Sequence, residues 1–109
     1  MSVFHKNLAA SRWQQLAFAE QMANIGSEIE RAINWKNKGS EKDFRLAFER
    51  ALELLDLTIK ISSGSRLGEL LRVREALADY FWFDNDYKST DALWQNYFFA
   101  FTWLVRGKS

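Results

Sequence analysis

Apolar residues recur along this chain at spacings of three and four, the period of a helix buried on one face, and no alternating stretch long enough for a strand interrupts them. In the first segment Phe18, Met22, Ile25, Ile29 and Ala32 follow one another at intervals of four, three, four and three, so they share a stripe. The pattern predicts a long first helix from about Asn7 to Asn37, a rod of roughly 40 Å or more at 1.5 Å per residue. Gly39 supplies the conformational freedom that ends it. Ser40 with Asp43 reads as a capping-box variant opening a second helix, whose central line is Phe44, Phe48, Ala51, Leu55 and Thr58. Ala47, Leu52, Leu54 and Ile59 widen that line into a face broad enough for two neighbours.

Ile61, Ser62, Ser63, Gly64 and Ser65 break the pattern, and Leu67 to Phe83 resumes it through Leu70, Leu71, Ala78 and Phe81. A polar turn over Asp84 to Ser89 leads to a last helix capped by Ser89 or Thr90, with Asp91 in the first turn where the dipole favours negative charge. That helix carries Trp94, Tyr97, Phe98, Phe101 and Val105 on one face and stops at Gly107. Short loops make sequential helices neighbours. The expected fold class is therefore all-α, a single domain over residues 1–109 folded as an up-and-down antiparallel four-helix bundle with a long first helix. Its expected core is Phe18, Met22, Ile25, Ile29, Phe44, Phe48, Ala51, Leu55, Leu70, Leu71, Phe81, Trp94, Phe98 and Phe101.

Two sets of apolar residues lie off these faces. On a continuous first helix, Trp13 and Leu16 fall opposite the Phe18 stripe, and on the last helix Phe99 and Trp103 project away from Trp94 and Phe98. Trp13, Leu16, Phe99 and Trp103 are the expected interface of a homodimer. The alternative is cover within one chain, from a neighbouring helix or the Trp82 and Phe83 segment. Gly26 also stands out, because glycine inside a helix costs on the order of 1 kcal/mol relative to alanine; either another backbone comes close there or nothing depends on it.

Composition narrows the chemistry. The 109 residues include no cysteine, no proline and a single histidine, His5. Disulfide scaffolds, thiolate catalysis and Cys- or His-pair metal sites are excluded, and a cytoplasmic location is expected. No apolar run reaches about 18 residues, so no membrane span is expected. Fifteen Lys and Arg balance fourteen Asp and Glu, which argues against a nucleic-acid partner, since such modules carry a basic excess or a one-faced stripe. Arg31, Lys36, Lys38, Lys42 and Arg45 gather near one loop and read as a solubilising cluster. Glu20, Asn24, Glu28 and Arg31 read as ordinary side-chain pairs along a helix. Asp84, Asn85, Asp86 and Asp91 suggest a calcium loop only superficially: Ser89 stands where that loop needs glycine, and no Glu follows at its twelfth position. No phosphate-binding glycine loop, nucleophile elbow or di-iron motif appears. The expectation is no catalytic residue, no metal and no cofactor.

One constellation carries a resemblance. Leu71, Arg72, Val73, Arg74, Glu75, then Asp79 and Tyr80, followed by an acidic turn and an aromatic closing helix, resembles the HEPN superfamily of small helical bundles. That superfamily also opens with a long helix bearing a Trp and Ala pattern like Trp13 to Ala23. The resemblance implies a helical bundle, self-association, and in ribonuclease members an Arg followed four to six residues later by His in a dimer cleft. Arg74 matches the Arg, while Asp79 occupies the His position. An ordinary aspartate, with a pKa of about 3.9, does not shuttle protons near neutrality, and its charge repels phosphate. Separately, the run Glu20 to Ala32, the run Ala47 to Asp56 and the segment Tyr87 to Trp94 are similar to a family of small prokaryotic proteins with no established activity. The expected function is a non-catalytic, self-associating interaction module, paired with a second protein such as a nucleotidyltransferase-like or toxin-antitoxin partner. The alternative is an RNA-binding or RNA-cleaving protein using Arg72, Arg74, Asp79 and Tyr80.

Overall fold

A computed structural model of the chain describes residues 12–107. They form an up-and-down antiparallel bundle of four helices, α1 Phe18–Asn37, α2 Glu41–Lys60, α3 Gly64–Trp82 and α4 Asp91–Gly107. There is no strand among the described residues. Helix α1 packs on α2 and α4, and α3 lies against α2.

The helix ends follow local chemistry. Gly39 takes φ +80° after α1, which lets the Ser40 amide reach back to the Trp35 carbonyl at 3.0 Å and satisfy a free helix-end acceptor. Ser40 precedes α2, but its hydroxyl donates to Asp43 Oδ2 at 2.7 Å and caps no backbone amide, so the capping box does not close. Before α4, Thr90 is the cap: its Oγ1 accepts the Leu93 amide at 3.1 Å.

The first helix departs from the expected span. At twenty residues α1 matches α2 in length, but it begins at Phe18. Residues 7–11 of the expected helix lie outside the described residues. Over residues 12–17 the chain turns, the Gln15 amide donating to the Arg12 carbonyl at 3.0 Å and the Leu16 amide to the Trp13 carbonyl at 3.1 Å, and two side chains hold the segment. Glu20 Oε1 accepts the Ala17 amide at 3.0 Å, a contact that fixes the start of α1. Gln21 Nε2 donates to the carbonyls of Trp13 at 2.9 Å and Leu16 at 3.2 Å. Trp13 is thereby folded onto the core, where its Nε1 donates to Thr58 Oγ1 at 2.8 Å, and the Thr58 hydroxyl donates to Gln21 Oε1 at 2.9 Å. Each polar group of this buried triangle finds a partner, as burial requires.

The core is built from Met22, Ile25, Ile29 and Ile33 of α1, Phe44, Phe48, Ala51 and Leu55 of α2, Leu70, Val73 and Leu77 of α3, and Trp94 and Phe98 of α4. Leu71 does not belong to it, being 49% exposed. Adjacent leucines on a helix point about 100° apart, and the inward line of α3 runs through Leu70, Val73 and Leu77. Phe18, Phe81 and Phe101 are half-buried at the core margin. Phe81 lies 4.8 Å from the Phe48 ring, and Trp82 meets the same ring edge-on.

Gly26 is explained by α4. A Cβ at this position would stand 2.6 Å from Phe98 Cβ and 3.1 Å from its Cγ. Only glycine lets the two helices meet this closely. Gly26→Ala should therefore destabilise the protein: overpacking costs about 1–3 kcal/mol, against a helix-propensity gain of about 1 kcal/mol. The contact involves a Cβ, so no side-chain rotation relieves it. We expect the urea midpoint to fall, with a net loss of up to about 2 kcal/mol; a midpoint above wild type would show that α4 does not sit on Gly26.

Candidate functional site

Helix α4 has two aromatic faces with opposite fates. Inward, Trp94 and Phe98 are buried and Tyr97 and Phe101 half-buried, linked edge-to-face: Trp94 to Tyr97 at 5.8 Å, Tyr97 to Phe98 at 5.0 Å and Phe18 to Phe101 at 5.8 Å. The Tyr97 hydroxyl donates to Glu69 Oε2 of α3 at 3.0 Å. Burial, and then the Glu69 carboxylate, push that hydroxyl far above its ordinary pKa, so Tyr97 remains a neutral donor. Outward, Phe99 is 56%, Trp103 65% and Leu104 51% exposed. The Phe99 and Trp103 rings lie 6.5 Å apart. With Asn96 and Ala100 these three line a shallow, mostly apolar depression of about 630 Å³. The Trp82 and Phe83 segment does not cover them, because Phe83 is itself 71% exposed and Trp82 is turned toward Phe48.

Trp13 and Leu16 do not join this surface. Trp13 is 6% exposed and Leu16 is half-buried against the core. Their assignment to an interface depended on a continuous first helix, and the break before Phe18 rotates them inward. The polar partners that hold Trp13, Gln21 and Thr58, are the signal the apolar pattern concealed.

The four residues of the ribonuclease-like constellation are dispersed among separate roles. Arg74 forms a two-pronged ion pair with Asp56 of α2, Nε to Oδ1 at 2.7 Å and Nη2 to Oδ2 at 3.2 Å. The Asp56 hydrogen bond raises the Arg74 pKa further above its already high value. Asp79 is buried, and its carboxylate accepts the amides of Asp86 at 2.9 Å and Tyr87 at 3.0 Å. It organises the loop between α3 and α4. Asn85 and Lys88 take positive φ in that loop, where Asn85 exchanges two hydrogen bonds with the Ser89 backbone. Tyr80 turns toward α1 and α4, and Arg72 is exposed. Of the four, Arg74 and Asp79 line one groove, together with Glu75, Phe83 and Tyr87. No group of three His, Asp or Glu side chains suited to a metal occurs among the described residues.

Tyr80 belongs to a latch that the basic-cluster reading did not separate from its neighbours. Lys36 Nζ lies 2.8 Å from Asp91 Oδ1 and 3.2 Å from the Tyr80 hydroxyl, which also donates to Asp91 Oδ1. Asn37 Nδ2 reaches Asp91 Oδ2 at 3.2 Å, and the Lys36 ammonium stands 4.7 Å from the centre of the Tyr80 ring. The ends of α1, α3 and α4 thus converge on one carboxylate. The other members of the basic cluster take ordinary surface positions, Arg31 on Glu28 and Arg45 on Glu41.

Comparison of the chain with known protein families, curated proteins and solved structures finds no match.

The latch predicts a pH dependence. Burial alone would raise the Asp91 pKa, but hydrogen bonds from Lys36, Tyr80 and Asn37 outweigh it and hold the carboxyl below its ordinary value. A carboxyl with a depressed folded pKa takes up its proton first in the unfolded chain, so its stabilisation is intact above about pH 4 and is lost as pH falls through the folded value. Asp91→Asn should lower the urea midpoint at pH 7 and shrink the further drop between pH 5 and about pH 2. Equal acid-induced drops in variant and wild type would remove Asp91 from this role.

Proposed function

We propose that the protein is a non-catalytic helical interaction module that forms a two-fold homodimer through the outer face of α4. The observation that carries this reading is the exposure of Phe99, Trp103 and Leu104 on a helix whose opposite face is already filled. Large aromatics bury about 150–250 Å² each, so two from each subunit, with Leu104 and Leu93 beside them, can seed an interface of the usual 1,200–2,000 Å². Isologous pairing puts α4 against its own copy. Ala100, the small residue in the middle of the depression, is where two such helices can cross most closely.

The engagement of Arg74 with Asp56 and of Asp79 with loop amides supports a structural use of these residues over ribonuclease chemistry. No helix among the described residues is long and apolar enough to cross a membrane, and the absence of cysteine fits a reducing cytoplasmic setting.

Replacing both outward aromatics, Trp103→Glu with Phe99→Lys, should leave the helical circular-dichroism signal intact, because neither side chain contributes to the core. The same change should halve the mass seen by light scattering. Wild-type protein that scatters as a single 12.8 kDa chain at high micromolar concentration would overturn the reading.

A further inference from the structure

A second surface lies away from the outer face of α4. A groove of about 740 Å³ opens between one face of α3 and the loop that follows it. Its α3 wall is a ridge in which Leu71 and Ala78 stand seven residues apart, with Arg74 and Glu75 between them, so it runs for two helical turns or about 10 Å. Its loop wall is made by Phe83 and Tyr87. Leu71 is 49%, Phe83 71% and Tyr87 59% exposed, an apolar concentration that lone surface residues do not explain.

The loop wall is held in place before any ligand arrives. Asp79 fixes the Asp86 and Tyr87 amides, the Asn85 amide returns to the Asp79 carbonyl at 3.1 Å, and the Tyr87 hydroxyl donates to Glu75 Oε2 at 2.9 Å. Two non-glycine residues in left-handed backbone, Asn85 and Lys88, are maintained by this network. A prearranged aromatic wall lowers the ordering cost of binding.

Charge selects the occupant. Glu75 and Asp86 present exposed carboxylates to the groove, that of Asp79 being buried on the loop amides, and the cation among its described lining residues, Arg74, is already compensated by Asp56. The patch is acidic on a chain whose formal net charge is only +1. Phosphate-bearing ligands are repelled by such a rim. Lys and Arg side chains are attracted to it, and the faces of Phe83 and Tyr87 offer cation–π contacts as well.

We propose that this groove binds a basic amphipathic helix of a partner protein, its apolar stripe at i, i+3 and i+4 lying along Leu71, Ala78 and Phe83 and its Lys or Arg residues meeting Glu75 and Asp86. This is recognition of a helix in a groove, with Asp79 acting as a positioning residue through the loop it organises.

The test uses the full chain and a fluorescently labelled, amidated peptide of about 18 residues, some five helical turns, made only of leucine at i, i+3, i+4 and i+7 and lysine elsewhere. A second peptide carries glutamate in place of every lysine. Fluorescence anisotropy should show saturable binding of the lysine peptide, weakened by salt, and none of the glutamate peptide. Phe83→Ala, which removes an exposed side chain, should weaken binding about tenfold or more. Glu75→Gln with Asp86→Asn should weaken it and flatten its salt dependence. The α4 change Trp103→Glu with Phe99→Lys should leave it untouched, which separates this proposal from the dimer. The proposal is overturned by absence of saturable binding, by equal binding of the glutamate peptide, by wild-type affinity in Phe83→Ala, or by loss of binding in the α4 variant.

Discussion

The close approach of α1 and α4 at Gly26 sets the rotation of the last helix, and with it what the surface displays. Phe98 sits where a side chain on α1 would collide with it. Once Phe98 is seated, residues three and four positions away, Trp94 and Phe101, must face the same way. Phe99 and Trp103 then have nowhere to go but outward, and their exposure follows from helix geometry rather than from a shortage of core. The helix cannot turn to hide them without pulling Phe98 away from Gly26.

Polar contacts lock the remaining pieces around that packing. The triangle of Trp13, Thr58 and Gln21 ties the segment before α1 to the far end of α2. At the opposite end of α1, Asp91 gathers Lys36, Asn37 and Tyr80, so the start of α4 is held where α1 finishes. Tyr97 reaches Glu69 and binds α4 to α3, two helices with little backbone contact of their own. Trp94 gains no such partner among the described residues, where its buried Nε1 meets none, and its ring serves the aromatic cluster.

Much of this was legible in the residue pattern. Gly39, the serines before α3, and Thr90 with Asp91 mark helix boundaries through backbone chemistry that acts locally, and the stripes of α1, α2 and α4 are long enough for periodicity to reveal their inward faces. The readings that failed depended on information the period does not hold. Trp13 and Leu16 fall opposite the Phe18 stripe if the helix is continuous, but α1 begins only at Phe18 and Gln21 holds the Trp13 carbonyl, a contact between side chain and backbone that no spacing encodes. Leu70 and Leu71 are equal in hydrophobicity, and tertiary packing alone chose Leu70. Asp79 sits at a position where family resemblance suggested chemistry, whereas its two amide partners lie seven and eight residues further on in a turn whose shape the sequence leaves open. Phe99 and Trp103 were legible as outward-facing because helix geometry alone decides them. The groove beside α3 was not, since it needs the loop conformation as well as the helix.

The claim that α4 is locked by Phe98 and presents its outer face to a second copy can be tested with cysteine, an amino acid the chain lacks. Ala100→Cys places a single thiol where the two copies of α4 should cross, and Leu46→Cys places one on the exposed face of α2. A disulfide requires Cα atoms within about 4.4–6.8 Å. Under mild oxidation at micromolar protein, the account predicts rapid conversion of the Ala100→Cys protein to covalent dimer, with the Leu46→Cys protein remaining a single chain. No covalent dimer at Ala100→Cys, or equal yields at the two positions, would contradict it.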